Sequence, residues 1–159
     1  MGEERARKIM HAMFDGNYRP RPHVVRRIEA LMGSEEAQYV DIKHTPHDKS
    51  MSGQCVILTA TRVIHATWST PNDNPGNTGT ALVTTWARRS LIKMEIKAGG
   101  TNADEDWSYA EDTEWPRGGI LTLEYEGRQR AIELPLGQDG RTRQQFHDLV
   151  PELLTDLVA

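Results

Sequence analysis

The sequence predicts an α+β fold, mainly β, in which seven antiparallel strands are closed by a C-terminal amphipathic helix and preceded by a helical extension. Three observations carry this expectation. Apolar residues recur with period two in short runs between Gln38 and Leu136. Phe146, Leu149, Val150, Leu153, Leu154 and Leu157 follow the spacing of one helical face. Residues 1–33 carry two shorter helical faces, each stopped at a glycine. With 159 residues, 37% of them hydrophobic, the chain has material for one core and long polar connections.

The elements follow in order. Ala6, Ile9, Met10 and Met13 predict an amphipathic helix over residues 3–14, ended by Asp15-Gly16-Asn17. Pro22 suits a first helical turn, and Val24, Val25, Ile28, Leu31 and Met32 predict a second helix up to Gly33. Val40, Ile42 and His44 alternate with Tyr39, Asp41 and Lys43 as a half-buried strand does, and a polar loop is expected from Thr45 to Gly53. Two β-rich runs, 54–59 and 62–68, are separated by Ala60-Thr61, which is hairpin spacing without the Asn or Gly that a primed turn favours. Residues 69–79, rich in Pro, Gly and Asn, predict a loop.

Two further strands are expected within 81–97, divided by a sharp polar corner at Ala87-Arg88-Arg89-Ser90, and a last hairpin at 120–125 and 131–136. In the terminal helix Thr142 and Gln145 have capping-box spacing. Pro151 removes one hydrogen bond, yet the apolar phase runs through it, which predicts one bent helix.

Composition narrows the function classes. The net charge is −4, with base in excess over residues 1–33 and acid in excess over 99–117, which argues against nucleic-acid binding, since phosphate contacts need a basic surface. No apolar run approaches the roughly 18 residues of a membrane span, so no integral membrane segment and a cytoplasmic location are expected. The single cysteine, Cys55, allows no intrachain disulfide, and its neighbours Val56, Ile57 and Leu58 mark it as a buried hydrophobe. Nucleophile elbows, phosphate-binding glycine loops and H-E-x-x-H are absent, so neither a catalytic set nor a cofactor is expected. His44-x-x-His47-Asp48, with His65 as a further donor, is the one cluster that offers a ligand or metal-dependent enzyme as an alternative, but its spacing supplies too few fixed ligands for Zn²⁺. Trp107, Tyr109 and Trp115 interleave with Asp104, Glu105, Asp106, Glu111, Asp112 and Glu114, a mixture that can either cover a sheet or anchor a basic partner.

Val56-Ile57-Leu58-Thr59-Ala60-Thr61-Arg62-Val63-Ile64 resembles strands two and three of bacterial PH-like (pleckstrin-homology-like) and GRAM-type domains. Ala87 to Ile96 is similar to their corner into strand five, and Ile28 to Glu36 to their helix and Gly-Glu lead-in. The resemblance spans about residues 24–158. It implies a seven-stranded bent barrel capped by the C-terminal helix, with 1–33 as the helical extension and 34–159 as the PH-like domain. It implies further a non-enzymatic binding or scaffolding module working through protein contacts, with a protein partner or self-association. Lipid-binding members place several Lys and Arg around the first inter-strand loop. Lys43 to Lys49 here holds no arginine, which argues against phosphoinositide binding and leaves a peripheral membrane adaptor as the remaining alternative. The expected binding residues are Lys43, His47 and Lys49, Arg88 and Arg89 at the corner, and Trp107, Tyr109 and Trp115 in the acidic segment.

Overall fold

The computed structural model describes residues 20–71, 76–97, 120–134, 136 and 140–158, with the side chains of 140–147 and 158 left aside. The helix expected at 3–14 and the segment holding Trp107, Tyr109 and Trp115 lie outside what is described; Thr142, expected as the cap, falls inside a terminal helix that already begins at Gly140. The chain divides into two compact units, Met1–Ala87 and Arg88–Ala159.

The first unit begins with α1 (Pro22–Met32), which has proline in its first turn and ends at Gly33, where φ is 64° and a side chain would be strained. Its N-terminus is pinned by Arg21, which donates to the Asn77 carbonyl at 3.0 Å, and by His23 Nε2, 2.9 Å from the Thr78 carbonyl and therefore the protonated nitrogen. Four strands follow in sequence order as one antiparallel sheet: β1 (Tyr39–Pro46), β2 (Ser50–Leu58), β3 (Arg62–Pro71) and β4 (Thr80–Ala87). Their register sets the faces. Ile42, Cys55, Ala66 and Val83 lie side by side across the sheet, and this face packs on Val24, Val25, Ile28 and Met32 of α1. The other face carries Tyr39, Asp41, Val56, Leu58 and Val63, all buried, with the Tyr39 hydroxyl donating to Asp41 Oδ2 at 2.7 Å.

The β2–β3 turn has no glycine, and no described non-glycine residue has positive φ, so it is not a primed turn. Glu35 supplies the missing support from outside. Its carboxylate accepts from the Thr61 amide at 2.8 Å, the Thr59 and Thr61 hydroxyls, and the Arg62 guanidinium at 2.9 Å, while Arg62 also donates to the Met32 carbonyl. One carboxylate thus ties the end of α1 to the hairpin.

In the second unit, a 3₁₀ turn (Arg88–Ser90) leads into β5 (Leu91–Lys97), which pairs with β6 (Ile120–Tyr125), and β6 with β7 (Ile132–Leu134). A bulge between Leu91 and Lys93 brings Leu91 opposite Tyr125, so both are buried. Leu121, Leu123, Ile132 and Leu134 form the buried face, and Lys93, Glu95, Glu124, Lys97 and Glu133 form a charged face laced with ion pairs. α2 (Gly140–Val158) runs unbroken through Pro151 and packs on β5 and the 3₁₀ turn, burying Leu149 and Leu153.

The seven strands and terminal helix agree with the expectation; the closed barrel does not. Among the described residues the strands form two sheets, of four and three, and no ladder joins them. The 3₁₀ turn interrupts the chain after β4, so β5 starts a new sheet with β6 as its neighbour. The loop expected from Thr45 to Gly53 is also shorter. β1 and β2 stay paired as far as Pro46 and Met51, because backbone pairing continues where side chains no longer alternate in polarity.

Candidate functional site

The site is built at the far end of the β1–β2 hairpin. His47, Asp48 and Lys49 form the turn, closed by the His47 amide donating to the Ser50 carbonyl at 2.8 Å. Behind it Lys43, Gln54 and Thr67 lie across three strands in register, with Thr45, Ser52 and Ser69 one step further out. An open cleft of about 270 Å³ is lined by Lys43, Thr45, Ser52, Gly53, Gln54, Thr67 and Trp68.

Gly53 is required on the other face of the sheet, opposite the side chains of Lys43, Gln54 and Thr67. It stands between His44 and Trp68 in register, and a Cβ there would collide with the Trp68 indole at Cε2 and Cζ2. Without that atom the indole lies over β2 and meets the His44 ring edge-on, with centroids 5.7 Å apart. Burial holds the half-buried His44 imidazole below its ordinary value of 6.5, so at neutral pH it is an uncharged member of an aromatic pair.

The cleft therefore offers one ammonium, three hydroxyls and one amide. That donor-rich set, with no carboxylate on its lining, fits an acidic or hydrogen-bond-accepting group. His47 Nε2 lies 2.8 Å from Ser52 Oγ, within proton-transfer reach. Among the described residues no hydrogen bond orients the other imidazole nitrogen, so the pair lacks the third group of a nucleophilic triad.

The expected residues separate clearly. Lys43, His47 and Lys49 are exposed on this hairpin, Lys43 on the cleft lining within β1 and His47 and Lys49 in the turn. His65 sits on the opposite face of the sheet from His44, since His65 pairs with Val56 and His44 with Gly53, and among the described residues no three His, Cys, Asp or Glu side chains could share a metal. Cys55 is buried in the core, its thiol pushed up first by burial and then by the Asp41 carboxylate.

In the second unit Arg88 is buried, with Nε donating to Asp156 at 2.8 Å and a longer pair to Glu152 at 3.6 Å, so it fastens α2 to the corner; Arg89 is exposed. Sequence reasoning missed Ser52, Gln54, Thr67 and Trp68. Their only signal is the β1–β2–β3 register, which becomes visible once the hairpin is known to reach Pro46 and Met51. No described helix is long and apolar enough to cross a membrane. Comparison with protein-family models, with curated proteins and with solved structures gives no match.

Proposed function

We propose that the chain is a non-enzymatic binding module of PH-like design that works through protein contacts, with the β1–β2 hairpin end as its contact surface. The observation that carries this reading is the donor-lined cleft beside Lys43, with His47 and Lys49 in the adjoining turn. The order of a four-stranded and a three-stranded antiparallel sheet followed by a helix supports the PH-like part. The partner is a protein segment presenting acidic side chains, because the lining supplies donors and the two lysines supply charge. The test combines Lys43→Glu with Lys49→Glu, both exposed. A partner that co-purifies stoichiometrically with the wild type should be lost about tenfold or more with the double variant, while its melting temperature stays unchanged. Equal recovery with both proteins contradicts the reading.

A further inference from the structure

We propose that two copies of this chain associate through the outer edges of their β5 strands, antiparallel about Met94, joining two three-stranded sheets into one of six. The contact lies within the second unit, goes beyond the cleft reading and does not depend on it.

Within its sheet β5 pairs with β6 alone, and among the described residues no strand occupies its other edge. Such an edge is a template for another chain, which natural proteins blunt by covering it or by setting charge or proline along it. Here Ile92 and Ile96 are 60% and 57% exposed, two of the four large hydrophobic residues that the described surface leaves open. A third, Leu154, belongs to α2, which packs on the same strand.

The order Ile92-Lys93-Met94-Glu95-Ile96 is self-complementary when read antiparallel. With the two-fold axis at Met94, Lys93 faces the second copy's Glu95, Glu95 faces the second copy's Lys93, and each Ile92 faces an Ile96. Directly opposed residues in an antiparallel pair are the ones whose side chains interact, and a symmetric contact must repeat every pair twice. The neighbouring symmetric registers fail this test. An axis at Lys93 sets lysine against lysine, and an axis at Glu95 sets glutamate against glutamate and Lys93 against Lys97. The charge pattern therefore selects both the partner, a second copy, and the register.

The bulge falls on Ile92, at the outer pair, and leaves the centre of the contact regular. It lies between Leu91 and Lys93, and from Lys93 to Lys97 the ladder to β6 is regular, so the charged centre of the contact is straight strand. Lys93 and Glu95 already touch within one chain at 2.7 Å, and both are about half exposed, so each can share its charge with a second copy without being uncovered first.

Sedimentation and light scattering of the purified full chain test the proposal. Wild type should show a dimer that dissociates on dilution. Lys93→Glu and Glu95→Lys each place like charges opposite one another twice and should weaken it about tenfold or more. Mixing the two variants restores both opposite-charge pairs and should return a heterodimer of near wild-type strength. Should either charge variant fold poorly, Ile96→Arg at its exposed position should abolish the dimer while leaving the circular dichroism spectrum unchanged. A wild type that is monomeric up to about 0.5 mM, a concentration at which even weak specific pairs form, overturns the proposal. So does a dimer indifferent to Lys93→Glu or to Ile96→Arg, or a mixture no tighter than its components.

Discussion

Glu35 shows how much one side chain can decide. A hairpin turn built from Ala60 and Thr61 cannot reach the positive φ that tight primed turns use, and its polar groups would be left to water. The Glu35 carboxylate takes them instead, and the Thr61 hydroxyl, foremost among its hydrogen bonds, holds its carboxyl below the ordinary value of 4.5. The sign of the consequence follows. A carboxyl whose value falls on folding adds stability that is fully present above 4.5 and is lost as pH drops through the lowered value. Glu35→Gln should therefore lower the melting temperature most near neutral pH, and the gap from wild type should close below about pH 4.5. A gap that is the same at pH 3.5 and pH 7 would contradict this assignment. Nothing in the local sequence announces the role, because Glu35 and Arg62 meet only after α1 has packed on the sheet.

At the scale of elements, strands were legible wherever one face is buried, and their ends were not. Val40 and Ile42 alternate because α1 covers their face, so β1 could be read from period alone. Toward Thr45 and Ser52 the apolar alternation fades from the sequence, and a loop is expected where the ladder in fact continues. The terminal helix shows the converse. Its apolar arc is wider than the face that packs: Leu149, Leu153 and Asp156 point to one side, while Leu154, roughly 130° away at 100° per residue, is half exposed.

The arginine doublet was legible only as polar, since the carboxylate that buries Arg88 lies 68 residues further on. Arg88 is nearly fully buried with Asp156 as its close partner, so Arg88→Met should destabilise the folded chain by about 3 kcal/mol by leaving Asp156 without its cation. Chemical denaturation measures this. Arg89→Met beside it should change stability by less than about 0.5 kcal/mol, as exposed surface positions do.

For the molecule as a whole, the sequence specified the class and order of its elements more securely than its surface. The strands and terminal helix of the described residues follow from periodicity, which is local. The expected polar corner is the 3₁₀ turn Arg88–Ser90, but that the strands on its two sides fall into separate sheets is not carried by any pattern. The cleft is a product of register: Lys43, Gln54 and Thr67 are distant in sequence and adjacent only because β1, β2 and β3 pair as they do. Three cationic or ionisable residues of the hairpin were found from their chemistry alone, and the neutral half of the site was not, because Ser, Thr and Gln carry no distinguishing signal.

The most direct test of the binding account places a photo-crosslinking residue at position 43 in the living host, with position 26 on the exposed side of α1 as the control. The account predicts a discrete protein adduct from position 43, absent from position 26 and diminished by Lys49→Glu. Indistinguishable labelling from the two positions, or no adduct from position 43, would contradict it.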